Sequence, residues 1–570
     1  MIKKVLKKIF PRGSFGFKVL KKIAIILKLT PAIPHHELKY SHWTERVEPL
    51  LWSPQEPLNY RPLISVVVPV FNAPIVHQLS MVYSVVNQTY PNWQLILINA
   101  SSNRKLNDFT AKLVNIDTRI EVVKVQENTG IAGNTNIGIK KATGEYVAFL
   151  DHDDTIAHQA LYEVVRELQG VHKPKLLYSD EDKLTNNGEY RLDPHFKPDW
   201  SPHLLREVNY LNHLSVVEKK LLNEVGAYRS GFDGAQDYDL FLRLVDKTDR
   251  IAHIPKILYH WRTAKTSTAE DFSQKKNILQ AGTRALEDHL ARNKQHGKVI
   301  ALRNQPGFYK INYRSNANKA IAVLLLPSKL EAEYRKFLFI FLEDLSKTKQ
   351  KVDLYVQQLR IPLKNIPENV TLHFLDQTMR KDFITAATNT MDNKLCLVIG
   401  SAVLPMSKGW LTGLTGLLLE VPSVAMAAPL VLASDGRLII DAGYVKSAHE
   451  YMPLFRGYTH QEHTVFGNSD WVRHVDALST RCFIMRKDML AKALPHIIET
   501  GTMLFTQKFF DMLQQQDDQV VIWPFSCMVY AGEMAAPTKS SRYFSGILSL
   551  SRAEFKTIEV ASVRRNYEDD

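Results

Sequence analysis

The sequence predicts an α/β protein made of two domains of similar topology in tandem. Helix-like and strand-like stretches alternate along its 570 residues, and 45% of the residues are hydrophobic, which is enough for more than one core. An apolar run that ends in proline also occurs twice, as LISVVVP at residues 63–69 and as IAVLLLP at residues 321–327. Fully apolar runs of this kind are typical of parallel strands that helices cover on both faces.

Each of these two runs starts a similar series of elements. A helix-like stretch follows, and then a second and a third strand: NWQLILI (92–98) and EYVAFL (145–150) in the first half, KVDLYVQ (351–357) and KLCLVI (394–399) in the second. Chance similarity between generic βα units is the alternative. We predict four segments: a basic lead-in over 1–60, domains over 61–300 and 318–540 with a polar linker between them, and a tail over 541–570.

The net charge of +13 is concentrated at the N-terminus. Nine Lys or Arg residues precede Glu37, the first acid, so the rest of the chain carries about +4 and shows no nucleic-acid footprint. The longest apolar run there, Ile23–Leu27, is far shorter than the roughly 20 residues that span a bilayer, and no cleavage site follows. We expect residues 1–30 to lie on an anionic membrane surface; a disordered basic tail is the alternative.

Three cysteines, Cys396, Cys482 and Cys527, lie far apart in the sequence. Their spacing fits neither a zinc site nor a disulfide framework, and it favours a reducing compartment. Together with the basic N-terminus, this predicts a cytoplasmic protein that is peripherally attached to a membrane.

Three acids end the strand at residues 145–150. Asp151, Asp153 and Asp154 stand where ligands collect in open α/β sheets, beyond the carboxyl ends of the strands. Clustered carboxylates repel one another unless a cation or hydrogen-bond donors compensate them. Mg²⁺ or Mn²⁺ would do so and would leave coordination positions for phosphates. Helix capping by Asp153 or Asp154 is the alternative, but it explains only one acid.

Several stretches resemble a family 2 glycosyltransferase in order and spacing, over about residues 61–270. They are LISVVVPVFNAP, VVNQTYPNWQLILINASS, ENTGIAGNTNIGIKKATGEYVAFLDHDD, GAQDYDLFLRL and IPKILYHWR. The resemblance implies a GT-A, nucleotide-diphospho-sugar transferase fold for both domains. It also implies an inverting, metal-dependent transferase that adds a sugar to a growing bacterial surface glycan, of capsule or lipopolysaccharide O-antigen type. The acceptor would be a glycan, and a lipid-linked glycan would explain a basic segment on the inner face of the cell membrane.

The resemblance also implies where the nucleotide sugar binds. Pro69, Phe71 and Asn72 would contact the nucleoside, and Asp151 the ribose. The family usually carries an aspartate pair after the second strand, whose first member binds the base, but this chain has Asn99 and Ala100 there. An asparagine amide can donate and accept, so nucleotide binding survives this change while the base stays open between UDP- and dTDP-linked donors.

The chemistry would fall to three further residues. Asp153 would bind the Mn²⁺ or Mg²⁺ that bridges the diphosphate, and His260 would complete the metal site or contact the diphosphate. Asp237 matches the general base that takes the proton of the acceptor hydroxyl. Asp237 could instead cap a helix, and His260 could be an ordinary strand-end histidine.

Two stretches allow both a functional and a structural interpretation. Asp199 and Trp200 in HFKPDW could form an acceptor pocket, because aromatic faces and carboxylates suit sugars; a packed loop explains them as well. SDEDK at 179–183 is either a solvated turn or a wall of the donor site.

The second half keeps the strands but has lost the acids, with Gly400 to Val403 where the first half has its aspartates and Gln507 near the position of the base. We expect a degenerate glycosyltransferase-like domain. Three alternatives stay open: an inactive glycan-binding or scaffold protein, a bifunctional transferase, and a sugar-nucleotide transferase or hydrolase that uses the same metal site.

Overall fold

The computed structural model describes residues 35–531 apart from residues 47, 53, 264–271, 303–304, 329–330, 360–362, 364, 401, 447–450, 465 and 502. The predictions for residues 1–30 and for the tail at 541–570 lie outside the described residues. In the part that is described, no helix has the length and apolarity needed to cross a bilayer.

The first domain is a mixed nine-stranded sheet with helices on both faces. Its elements, after the leading helices α1 (His35–Arg46) and α2 (Glu48–Leu51), are β1 (Ile64–Val70), α3 (Ile75–Val86), β2 (Trp93–Asn99), α4 (Arg104–Lys112), β3 (Ile120–Lys124), α5 (Gly130–Lys141), β4 (Tyr146–Phe149), β5 (Thr155–Ile156), α6 (Ala160–Glu167), β6 (Leu176–Leu184), β7 (Arg191–His195), α7 (Pro202–Leu205), β8 (Ser215–Glu218), α8 (Lys219–Val225), α9 (Gln236–Val245) and β9 (Ile251–Arg262). Helix α10 (Phe272–Arg292) and the hairpin of β10 (Gly297–Ala301) and β11 (Tyr309–Tyr313) follow.

The second domain is a mixed ten-stranded sheet. Its elements are β12 (Ile321–Leu325), α11 (Glu331–Ser346), β13 (Val352–Gln357), β14 (Val370–Leu375), α12 (Arg380–Thr390), β15 (Leu395–Ile399), β16 (Val403–Pro405), α13 (Trp410–Glu420), β17 (Val424–Leu432), β18 (Ile439–Asp441), β19 (Tyr444–Lys446), β20 (Tyr451–Pro453), β21 (His463–Thr464), β22 (Gly467–Asn468), β23 (Arg473–His474), β24 (Cys482–Arg486), α14 (Lys487–Ala493), α15 (Gln507–Gln515) and β25 (Gln519–Tyr530). Short 3₁₀ turns lie at Leu113–Asn115 and Leu494–His496.

The two sheets have the same strand order, which confirms the predicted tandem of α/β domains. The first runs β3-β2-β1-β4-β8-β6-β9-β5, and the second runs β14-β13-β12-β15-β24-β17-β25-β16. Each pair of neighbouring strands in the first sheet has the same parallel or antiparallel orientation as the equivalent pair in the second sheet. The sheets are less parallel than expected, because β8 and β24 run antiparallel to both of their neighbours.

The apolar run of β1 is buried on both faces, as its composition requires. Val67 packs into a core on one side of the sheet, and Val66 and Val68 pack into a core on the other side, because successive strand residues alternate. The first of these cores continues into the second domain, where it includes Val323 and Trp523. The two domains therefore share one hydrophobic core.

The stretch predicted as a polar linker contains a strand instead. Strand β11 pairs with β10, and its side chains Tyr309, Ile311 and Tyr313 are buried in the shared core. The alternation of these apolar residues with Lys310 and Asn312 is the period-2 signal of a half-buried strand. The domains are thus joined by a packed hairpin.

Polar contacts also cross the junction. A carboxylate oxygen of Glu207 accepts the backbone N–H of Val472 at 2.7 Å, and the Nε2 of His203 lies 2.8 Å from the Oε1 of Gln519. Glu207 is buried, and burial raises its pKa to about 8 because the charged form loses its hydration; the hydrogen bond from Val472 opposes this rise only in part.

This buried carboxyl predicts a pH-dependent junction. Because its pKa is about 8 in the folded protein and near 4.5 in the unfolded chain, Glu207 binds a proton more tightly when folded. Its contribution to stability is complete below about pH 4.5 and is lost as the pH rises toward 8. Glu207→Gln keeps an acceptor for Val472 but cannot ionise. We expect its melting temperature relative to the wild type to increase steadily from pH 5 to pH 8.

The control for this experiment is Glu127→Gln, at an exposed position of the first domain. Its melting temperature should differ from that of the wild type by the same small amount at each pH. A pH-independent difference for Glu207→Gln as well would show that this carboxyl does not ionise within the junction.

Candidate functional site

The three acids after β4 have two different environments. Asp154 is buried; its carboxylate accepts the backbone N–H of Arg262 at 2.7 Å and the hydroxyl of Tyr259 at 2.5 Å. Burial, with the charges of Asp151 and Asp153, raises the pKa of Asp154 to about 8. The side chain of Asp151, by contrast, is 53% exposed. Asp154 thus has a structural position, and Asp151 is open to a ligand.

The antiparallel register of β4 and β8 sets His213 opposite Asp151. Phe149 pairs with Ser215, and continuing this register by two residues places Asp151 across from His213. The Nε2 of His213 lies 3.9 Å from a carboxylate oxygen of Asp151, and its ring stacks on Tyr259 with the ring centroids 4.6 Å apart. No local sequence pattern marks His213, because only the pairing of two strands that are distant in sequence brings it to this edge.

Glu181 on β6 holds His213 in place. Its carboxylate accepts the backbone N–H of His213 at 2.6 Å and lies 3.4 Å from the Nδ1 of the ring. The ammonium of the buried Lys197 donates to the carbonyls of Asn212 and His213. Burial by itself would lower the pKa of His213, but its hydrogen bond with Glu181 and the charge of Glu181 raise it to about 9. A cation therefore faces Asp151 at neutral pH.

SDEDK is accordingly part of a buried strand, and its interpretation as a solvated turn is wrong. It lies within β6, and Ser179, Asp180 and Asp182 are each 1% exposed. The acids look like a turn in the sequence because their partners, which include Lys197, His253 and Arg191, are distant in the chain.

Asp237 lies in the first turn of α9, close to the same edge. The hydroxyl of Tyr228 donates to its carboxylate at 2.8 Å, and the side-chain amide of Gln236 donates at 3.3 Å. Burial raises the pKa of Asp237; the bond from Tyr228 opposes this, and the negative charge of Asp151 adds to it. Ala235 is the capping residue of α9, so the structure gives Asp237 no capping role.

His260 lies on β9, and Asp153 lies two residues before Thr155 of β5, which pairs with His260. The Nδ1 of His260 bonds to Asp182 at 2.6 Å, and Asp182 also accepts from Tyr40 and Arg191. A carboxylate on one ring nitrogen is the usual support for a histidine that binds a metal through the other. Among the described residues, no group of three or more His, Cys, Asp or Glu side chains forms a metal site.

The residues expected at the nucleoside follow β1 and β2. The side chain of Asn72, in a left-handed conformation with φ of 49°, donates to Ser102 at 2.9 Å and accepts the N–H of Asn103 at 3.0 Å. Phe71 is exposed, and the carbonyl of Pro69 lies 3.1 Å from the Nδ1 of His152. These contacts fix the loop and leave the ring of Phe71 open.

Asn99 is 1% exposed, and both ends of its amide are bound. Its nitrogen donates to the carbonyl of Asn107 at 3.1 Å, and its oxygen accepts the N–H of Ser101 at 3.2 Å. In this arrangement the side chain braces the turn after β2. Its predicted contact with the base remains a prediction.

The adjacent residues Asp199 and Trp200 have different environments. Asp199 is half exposed and contacts the buried His253 at 3.2 Å, whereas Trp200 is partly buried against the shared core. The packed-loop interpretation therefore describes Trp200, and its predicted role in acceptor binding stays untested.

Among the residues that the structure describes, the second domain has no comparable acidic site after β15. At the end of β15, a Cβ on Gly400 would overlap the carbonyl oxygen of Thr480, so backbone fills the space in which the first domain holds an acid. Thr155, four residues after Asp151, pairs with His260, whereas Leu404, four residues after Gly400, pairs with Val529. The second domain therefore has an apolar residue at the position of His260.

Part of the first domain matches the model of a known protein family. Residues 65–206 match the family model described as Glycosyl transferase family 2. The O-antigen biosynthesis protein RfbC of Myxococcus xanthus is 30% identical over 490 residues, which are 81% of this chain and 37% of that protein. The uncharacterized protein y4gI of Sinorhizobium fredii is 39% identical over 275 residues, which are 47% of this chain and 30% of that protein. The chain thus spans about a third of the length of these relatives.

A solved structure of S. aureus TarS, residues 1–349 in complex with UDP-GlcNAc, is also similar to the chain. It has a TM-score of 0.34 at 17% identity and covers 40% of this chain and 66% of that one.

The different environments of the acids predict different effects on stability. Asp154→Ala leaves the buried N–H of Arg262 and the hydroxyl of Tyr259 without their acceptor, which costs about 1–3 kcal/mol. We expect thermal denaturation to show a melting temperature several degrees lower. Asp151→Ala removes an exposed carboxylate and should change stability by less than about 0.5 kcal/mol. Equal losses in the two variants would contradict this division.

Proposed function

We propose that the chain, whose residues 65–206 match the model of glycosyl transferase family 2, is an inverting, metal-dependent glycosyltransferase. Its donor is a UDP- or dTDP-linked sugar, and its acceptor is a growing bacterial surface glycan. The observation that carries this proposal is one sheet edge at which Asp151, Asp237 and His213 meet. An open carboxylate, a carboxylate of raised pKa and a cation together suit a reaction that moves a proton and releases a diphosphate.

Asp237 is the base in this proposal. Its raised pKa suits it to accept the proton of an acceptor hydroxyl as that oxygen attacks the anomeric carbon. The bond from the anomeric carbon to the diphosphate oxygen breaks on the opposite face, and the configuration inverts. Tyr228 fixes the orientation of the carboxylate through its 2.8 Å hydrogen bond.

The leaving diphosphate needs positive charge. Mg²⁺ is commonly held by one or two protein carboxylates together with substrate phosphates, so two protein ligands are enough. Asp153 fits this role, and His260 fits it through Nε2, because Asp182 already occupies Nδ1. When bound, the metal would neutralise the developing charge of the nucleoside diphosphate. His213, fixed by Glu181, adds a second positive charge at this edge.

The surface glycan would be of capsule or O-antigen type, and the similarity to an O-antigen biosynthesis protein supports this choice. The basic residues 1–30 would keep the protein on the inner face of the membrane, near a lipid-linked acceptor. An inactive scaffold is the competing function, and the open Asp151 argues against it.

The base is tested by Asp237→Asn. The amide keeps the size of the side chain but accepts no proton at neutral pH, so turnover should fall by about 10²–10⁴-fold while the affinity for the donor stays within about twofold. Gln507→Ala, at the start of the equivalent helix in the second domain, is the matched control and should keep near-normal turnover. Both are measured with donor and acceptor at saturation. Near-normal turnover in the Asp237 variant would place the base elsewhere.

Donor and metal are tested by thermal denaturation in the presence of UDP- and dTDP-sugars, with and without Mn²⁺. A ligand that binds only the folded state raises the melting temperature, and a concentration of 100 times Kd adds about 2.7 kcal/mol. We expect one donor to stabilise the protein only when metal is present. Asp153→Ala should lose this metal dependence and keep the melting temperature of the free protein. Stabilisation by no donor in the wild type would refute the proposed function.

A further inference from the structure

An exposed aromatic ring lies directly beside the proposed active site. Trp261 on β9 is 46% exposed, whereas the other tryptophans of the sheets, such as Trp93 and Trp523, are buried. Its ring centroid is 6.3 Å from that of His213, the residue that faces Asp151. Burial would stabilise so large an apolar surface, and here the surface stays open beside the residues of the proposed active site.

Polar side chains continue from Trp261 to the second domain. Lys183 pairs with Trp261 across the two strands, and its ammonium lies 5.9 Å from the indole centroid. Lys183 forms an ion pair with Asp193, whose other carboxylate oxygen is 3.7 Å from the Nε2 of His463. His463 belongs to the hairpin β21–β22 of the second domain. We call these four residues, Trp261, Lys183, Asp193 and His463, the junction strip.

The ion pairs of the junction strip contribute little to the stability of the folded protein. The side chain of His463 is 68% exposed, and those of Lys183 and Asp193 are more than a third exposed. Ion pairs that water can reach contribute about 0–1 kcal/mol. The hydrogen bonds from His463 and Lys183 hold the pKa of Asp193 well below its ordinary value, so Asp193 presents a charged acceptor. The strip thus offers one apolar face followed by donors and an acceptor.

This combination matches the chemistry of a saccharide. A pyranose ring has an apolar face of C–H groups that covers an aromatic ring, and its rim of hydroxyls both donates and accepts hydrogen bonds. We propose that the junction strip binds the acceptor glycan, with one sugar ring against Trp261 and the following sugars bonded to Asp193 and His463. The inference rests on the proposed function. In it, the acceptor glycan extends from its reacting hydroxyl at Asp237 along the junction strip.

The proposal gives the second domain a role. It supplies His463, so a complete acceptor site exists only when both domains are present. This domain has Gly400 to Val403 after β15, where the first domain has its aspartates. It would then act on the affinity for the acceptor and leave the chemical step to the first domain.

The test compares two reactions of the full-length chain. One is transfer from the nucleotide sugar that stabilises the protein to lipid-linked glycans extracted from the bacterium that encodes it. The other is slow hydrolysis of the same donor by water, which needs no acceptor. Trp261→Ala should raise the KM for the glycan at least tenfold and leave donor hydrolysis within twofold of the wild type. Trp261→Tyr keeps an aromatic face and should restore most of the loss.

Two further variants complete the test. His463→Ala should raise the KM for the glycan severalfold at unchanged kcat, and Phe374→Ala, which removes an exposed ring from the edge strand β14, should change neither reaction. An unchanged KM in both Trp261→Ala and His463→Ala would overturn the subsite while wild-type transfer upholds the proposed function. Equal loss of hydrolysis and transfer in Trp261→Ala would assign that ring to the donor and also overturn it. A wild-type protein that neither binds nor uses a donor would refute the function and the subsite together.

Discussion

The buried carboxylate of Asp154 is the interaction on which the candidate site depends. It joins the end of β4 to the end of β9 through Arg262 and Tyr259, two residues more than 100 positions away in the chain. The hydroxyl of Tyr259 in turn accepts the backbone N–H of Asp151 at 3.3 Å, and its ring supports His213. Burying an acid is costly unless donors satisfy it, so this carboxyl fixes its surroundings strongly. The hydrogen bonds of the buried Asp154 therefore fix the backbone that carries the exposed Asp151.

The repeated fold and the position of the acids can be predicted from the sequence. The residues that contact those acids in the folded protein cannot. Apolar runs of β1 and β12 and the abrupt change to carboxylates after β4 are local signals, and they predicted both domains and the edge that carries the site. The role of His213 depends on the register between β4 and β8, whose residues are more than 60 positions apart. SDEDK is ambiguous for the same reason. Arg191 of β7 and His260 of β9 form ion pairs with its Asp182. Tyr40 of α1 donates a hydrogen bond to the same carboxylate, and no local pattern records these contacts.

The hydrophobic pattern also does not predict the short strand β11, which has few apolar residues. Strand β11 lies in the stretch that the sequence predicts as a polar linker, because Asn, Lys and Arg surround its three buried side chains. Its burial is understandable only once the second domain is in place, since Tyr313 packs against Trp523 with the ring centroids 5.9 Å apart. Short strands at domain junctions gain most of their stability from tertiary contacts, and their own sequence reveals little of it.

The two domains show how one topology supports a site in one copy and none in the other. The equivalent strands β4 and β15 are flanked by equivalent neighbours, yet the space beyond β15 is filled by backbone at Thr480, and Gly400 is the residue that permits this contact. An aspartate there would need the chain around Thr480 to move, so single substitutions would not recreate an acid edge. The second domain does contact the first domain's β6–β7 hairpin, where His463 of the β21–β22 hairpin lies 3.7 Å from Asp193, and a contribution to the reaction would come through this contact at the junction.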